Sequence, residues 1–145
     1  MNKKRTAPGF SLIEVLVGLF LVAVAVLGLA QLFMVSVTNN LRADRIANAT
    51  YLAQQQIDWL RGFTYDELNA YGALPLAARD EVLDLNVDGR NDYRRITDFT
   101  ALGNLFQVRV LVYSAEMLNV ADPQELVDDM DIRRVRALVT TIISR

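Results

Sequence analysis

From Val15 to Ala30 the chain reads VLVGLFLVAVAVLGLA, a stretch without a single polar side chain. Such a run is stable in lipid or against other apolar helices, and in lipid a helix satisfies its own backbone groups. The residue before it narrows the reading. Glu14 puts a carboxylate within the first turn of the apolar segment. A charge near the bilayer centre costs about 2.5–3.5 kcal/mol, and less near an interface, so a carboxylate here calls for a partner. Upstream, Lys3, Lys4 and Arg5 form a basic cluster, which keeps the N-terminus cytoplasmic by the positive-inside rule.

Two simple readings fit the run alone. One is a secretory signal cut after Gly28-Leu29-Ala30, and the other is an uncleaved signal anchor. Neither accounts for Glu14. If the chain instead began at Phe10, its free amine would lie four residues before Glu14 on the same helix face, and the two charges would neutralise each other within a chain or between neighbours.

Basic residues, then Gly9, then Phe10-Ser11-Leu12-Ile13-Glu14 and a long apolar helix resemble the prepilin signature of type IV pilin-like proteins. The resemblance implies that a membrane peptidase cuts between Gly9 and Phe10 and that Phe10 becomes N-methylated. It also implies that Glu14, the fifth mature residue, registers a new subunit against a neighbour's terminal amine. The implied partners are other pilin or pseudopilin subunits, prepilin peptidase, an inner-membrane assembly platform and lipid. The implied location is the bacterial inner membrane, with the globular part outside the cytoplasm, and then a pilus or pseudopilus.

Beyond Gln31 the pattern becomes one-sided. Ile46, Ala49, Ala53, Ile57 and Leu60 recur at helical steps, while Arg42, Asp44, Arg45, Asn48 and Asp58 fall mostly elsewhere. No proline interrupts Phe10 to Gly62, so the pattern predicts a helix over Ser11–Arg61, roughly 75 Å long at 1.5 Å per residue. Gly62 is the expected C-cap, with Phe63 folding back as its apolar contact. The segment from Ala49 to Arg61 is similar to the helix of PilV-type minor pilins and of the I-type minor pseudopilins of type II secretion. Two departures from major pilins support a minor role: Gln31 stands where they usually carry proline, and a chain without Cys has no C-terminal disulfide.

After residue 62 the periodicity changes. Residues 63–81 read as irregular, with a short helical turn at Asp66–Ala70. Leu83, Leu85 and Val87 alternate with acidic and amide residues as a strand does. Asp88-Gly89 is a hairpin-type turn, and Tyr93–Thr97 is the returning strand. Leu105–Tyr113 and Arg134–Ile143 are further strands. Phe106, Val108, Val110 and Val112 share a face of the first; Val135, Ala137, Val139, Thr141 and Ile143 share one of the second. Pro123–Asp131 reads as an acidic loop. The expected fold is α+β: one long N-terminal helix packed on a small antiparallel sheet whose other face is open to neighbouring subunits. The expected division is a 1–9 leader, a 10–37 transmembrane half-helix, a 38–62 amphipathic half-helix and a 63–145 β-rich domain.

Composition removes most catalytic readings. With no His and no Cys, the commonest general base and the thiolate and imidazole metal sites are absent. No spaced pair of carboxylates stands out for a membrane-anchored enzyme or binding domain, the remaining alternative, and no cofactor is expected with one exception. Asp84, Asn86 and Asp88, followed by Gly89, with Asp92 further on, match the first half of a calcium loop, and some pilins hold calcium in C-terminal loops. The twelfth place, normally a bidentate Glu, is Arg95, and a plain hairpin turn explains the same residues. Nucleic acid is not an expected partner. Without Lys3, Lys4 and Arg5 the chain holds 12 basic against 17 acidic residues, and Arg133, Arg134 and Arg136 have no interleaved aromatics.

Overall fold

The computed structural model describes Gly9 and residues 11–144. The leader expected over residues 1–9 lies outside the described residues except for Gly9, and Phe10 lies outside them too. The chain divides into two compact units, one running to Arg42 and the other beginning at Ala43.

Helix α1 spans Leu12–Arg61, 50 residues, within a residue of the sequence reading at its start. It crosses the unit boundary, and its two parts face different surroundings. In the first unit every described side chain is exposed. In the second unit Ala49, Leu52, Ala53, Gln56, Ile57 and Leu60 are buried. Ile46, expected on that stripe, is instead 44% exposed, so the apolar contact begins one turn later than the periodicity indicates. The helix ends in tight i−3 bonds, from the Gly62 amide to the Trp59 carbonyl (3.1 Å) and from Phe63 to Leu60 (3.1 Å). Phe63 does fold back, its ring 4.4 Å edge-on from Trp59.

Residues 63–81 hold more structure than expected. Helix α2, Tyr65–Gly72, replaces the single predicted turn, and a 3₁₀ turn follows at Leu76–Arg79. A capping box accounts for α2: Thr64 Oγ1 accepts the Glu67 amide and the Glu67 carboxylate accepts the Thr64 amide. Those bonds hold the Glu67 carboxyl below its ordinary value. At the other end of α2, a Cβ on Gly72 would sit 2.4 Å from the Phe99 ring, so the helix closes on the sheet only because glycine is there.

Four strands follow: β1 (Asp80–Leu83), β2 (Tyr93–Leu102), β3 (Leu105–Ser114) and β4 (Ala137–Ser144), antiparallel in the order β1-β2-β3-β4. The first strand begins and ends earlier than the alternation indicates. The last begins at Ala137 rather than Arg134, because Arg134 takes a left-handed φ of 53° that no extended strand accommodates.

The sheet carries two apolar layers. One face packs Phe106, Val108, Val110 and Val112 against Ala49, Leu52, Ala53, Ile57 and Leu60 of α1 and Leu68 of α2. The opposite face is not left open, as expected from sequence. Ile96, Leu111 and Tyr113 are covered by Leu126 and Val127 of α3, Pro123–Asp128, a helix that stands where an acidic loop is expected. Asp122 caps it by accepting the Gln124 amide (2.9 Å), and Pro123 pre-sets its first turn. The Tyr113 hydroxyl donates to the Leu126 carbonyl, and burial pushes that phenol up to about 12. Arg94, almost fully buried, fixes the segment before α3. Its guanidinium holds Asp80 through two bonds (2.9 and 2.6 Å) and donates to the carbonyls of Met117 (3.0 Å) and Val120 (2.5 Å).

Leu126 is fully buried. Leu126→Ala is expected to cost about 2–5 kcal/mol in urea-induced unfolding. A loss below about 0.5 kcal/mol, the range of surface changes, would mean that α3 does not seal the outer face.

Candidate assembly site

The α1 residues from Leu12 to Met34 present apolar side chains all round, among them Leu12, Leu19, Phe20, Leu29 and Phe33, each at least 65% exposed. The helix is long and apolar enough to cross a membrane, and its most apolar stretch is nowhere buried within the chain. Glu14 lies in the first turn. Its amide is already bonded to the Ser11 carbonyl (3.0 Å), so its side chain projects from formed helix. The carboxylate is exposed and makes no ion pair among the described residues. A negative charge in a helix's first turn is favoured by the helix dipole, which offsets part of its cost there. Gly9 is exposed, and nothing lies within 4 Å of where a Cβ would stand.

Asp84, Asn86, Asp88 and Asp92 fall together in the connection between β1 and β2. Leu85 and Val87, expected in a strand, are outside the sheet there. The Asp84 carboxylate accepts the amides of Val87 (2.8 Å) and Gly89 (2.8 Å), which draws the chain out of the ladder. Asp88 accepts the Arg90 amide (2.8 Å), and Asp92 accepts that of Leu85 (3.2 Å). Val87 consequently adopts a φ of 59° and Gly89 one of 82°. For glycine this is unstrained; for a β-branched valine it is a genuine outlier. Among the described residues, no group of three or more carboxylates is gathered closely enough to hold a metal ion. Arg95, the residue at odds with a calcium reading, is engaged elsewhere. It donates to Glu81 (Nε, 3.0 Å) and to the Leu52 carbonyl of α1 (3.2 Å).

The basic residues near β4 do not form a free patch. Arg133 pairs with Glu125 (3.1 Å), and Arg136 is partly buried with its amide bonded to the Val112 carbonyl.

A family model described as the prokaryotic N-terminal methylation motif matches residues 4–30. No curated protein and no solved structure matches the chain. The motif, the long apolar helix and the four-stranded antiparallel sheet are together consistent with the type IV pilin-like family. The motif supports a type IV pilin or pseudopilin-like protein, a structural class whose members are processed by prepilin peptidase and assemble with other subunits.

Asp84 holds its connection through two charge-assisted bonds at a partly exposed site. Asp84→Ala is therefore expected to lower stability by about 1–2 kcal/mol, read from denaturant midpoints. An unchanged midpoint would mean that the two amide bonds do not hold the turn.

Proposed function

We propose that this chain is a minor type IV pilin, a non-enzymatic structural subunit that primes or caps pilus assembly. The observation that carries the reading is the position of Glu14. It is a carboxylate without an ion pair among the described residues, in the first turn of a helix whose apolar half finds no cover among them, and it lies inside a matched methylation motif. In this reading residues 1–9 are the leader, cleavage falls between Gly9 and Phe10, and Phe10 is methylated. Residues 10–37 sit in the membrane and later in the filament. Residues 38–62 support the 63–145 domain outside the cytoplasm, and Glu14 pairs with a neighbour's terminal amine. Gln31 in place of proline and the lack of Cys favour a minor subunit over a filament-forming one. The same two features suit a minor pseudopilin of a type II secretion system, which uses the same helix and the same Glu.

The test is the N-terminal mass of protein extracted from membranes. The expected chain begins at methylated Phe10; one beginning at Gln31 or at Met1 would overturn the reading. Glu14→Ala is expected to be inserted and cut normally but to reach filaments at less than a tenth of the wild-type level. Wild-type incorporation would remove the recruitment role from Glu14. Replacing Gly9 is expected to slow cutting instead.

For the connection at residues 84–92 we propose a turn closed by its own amides, with calcium held by Asp84, Asn86, Asp88 and Asp92 as the second reading. These are hard oxygen ligands of the kind calcium prefers. The strained φ at Val87 is the local cost that functional loops tend to carry, and the Arg95 charge is compensated by Glu81. An ion bound only by the native state adds about 2.7 kcal/mol at a hundred times its Kd. On the turn reading calcium leaves the melting temperature of the wild type unchanged, and a rise in the wild type that Asp84→Ala lacks would establish the calcium reading instead.

A further inference from the structure

The sheet has two edges, and they are built differently. β1 has only four residues, two of them charged, and both charges are tied to the next strand through Asp80–Arg94 and Glu81–Arg95. A short, charged edge of this kind resists pairing with a further strand. β4 has none of these guards. Its eight residues, ALVTTIIS, include no charge, no proline and no glycine, and Val139, Thr140, Thr141, Ile142 and Ile143 are all β-branched. β3 is its only strand partner among the described residues, so the backbone groups on its outer side have no ladder. Beside it, a cavity of ≈ 340 Å³ runs between α1 and the strand, lined by Gln54, Ile57 and the paired Asp58 and Arg61 of α1 and by Val139, Thr140 and Thr141 of β4. On the other face Leu138 is 48% exposed and Ile142 62% exposed.

We propose that β4 is a docking edge, along which an extended strand of a different pilin-like subunit pairs with Ala137–Ser144 and continues the sheet. The identity of the donor rests on the assembly reading above; the openness of the edge does not. Strand addition draws its affinity from main-chain bonds and its selectivity from pockets for alternate side chains. The cavity against Ile57 and Val139 takes the side chains of one face of the added strand, and those of the other face lie over Leu138 and Ile142. β4 itself carries no charge, and the Asp58 and Arg61 charges beside it are paired with each other, so main-chain pairing and apolar contact dominate, and the incoming segment is about five or more residues long and free of proline. A subunit held in the same membrane by its own apolar helix is presented at high effective concentration. A second copy added head to tail would instead bring the short, charged β1 edge against β4.

The experiment is hydrogen exchange on the full-length chain, purified in detergent and again after incorporation into the assembly. The β4 amides that do not face β3 are expected to exchange freely in the purified chain and at least ten-fold more slowly in the assembly. Equal rates in both would overturn the proposal. Protection already present in the purified chain would assign the edge to a second copy and overturn it as well. The double variant T140K/I142K places two charges on exposed positions. It is expected to be cut between Gly9 and Phe10 and to melt as the wild type does, yet to be incorporated at least ten-fold less. Normal incorporation of that variant would also sink the idea. Wild-type protein that is never cut would show that the assembly reading has failed, and the proposed donor would fall with it.

Discussion

One helix in this chain must satisfy two solvents, and the rest of the structure follows from how α1 does so. Up to Met34 its surface is apolar on all sides, which suits lipid or a bundle of like helices. From Ala49 to Leu60 it is apolar on one side only, which suits a sheet. The change is made without a proline or a break in the hydrogen-bonded ladder. The buried half of α1 gives the sheet one of its two cores, and the Leu52 carbonyl receives the Arg95 guanidinium, tying β2 to the helix by a polar bond as well as by packing.

Most of this was legible in the sequence because periodicity reports faces directly. The helix span, the inward set Phe106, Val108, Val110 and Val112, and the α+β plan all follow from which residues recur at two or at 3.6. The misses share a different cause: short polar signals that act through hydrogen bonds rather than through burial. Thr64 and Glu67 spell a capping box, and Asp122-Pro123 spells an N-cap followed by a first-turn proline, yet neither segment is long enough for an apolar period to appear. The apparent strand at Leu83–Val87 fails for the same reason. Alternation is genuine there, but Asp84 binds the amides of Val87 and Gly89 more locally than any partner strand does. Leu111 and Tyr113 were the available hint that the second face of the sheet is covered, since both stand off the inward set of β3 and are large and apolar. In the candidate site, the residue types and spacing of Gly9, Phe10 and Glu14 were legible. The roles proposed for them depend on a peptidase and on neighbouring subunits, which no property of a single chain reports.

Several buried or half-buried charges of the folded unit are paired, Arg79 being an exception: it is buried, and its Nε and Nη1 find no hydrogen-bond partner among the described residues. Arg94, nearly inaccessible, is fully matched by a bidentate carboxylate and two carbonyls, the arrangement under which a buried cation is tolerated. Arg109, half-buried on the outer face, pairs with Asp98 directly across the ladder. Arg61 and Asp58, both well exposed, form a pair of the kind that contributes little to stability. The charges of β1 and β2 are thus largely paired within the sheet itself.

That pairing sharpens the meaning of what is left unsatisfied. Three features have no partner among the described residues: the apolar surface of the first half of α1, the Glu14 carboxylate set in that surface, and the outer rim of β4. A soluble monomer would be selected against each, because exposed apolar surface and bare strand edges both lead to indiscriminate association. In a subunit anchored in a membrane the same features are tolerable before assembly, since lipid covers the first and the bilayer limits which chains come near the third. On the proposed reading, assembly would satisfy all three with different physics: packing for the helix, charge pairing for Glu14 and main-chain hydrogen bonds for β4. Because these contributions differ in kind, a neighbour that offers only one of them is bound weakly, and a subunit that offers all three is selected by the combination.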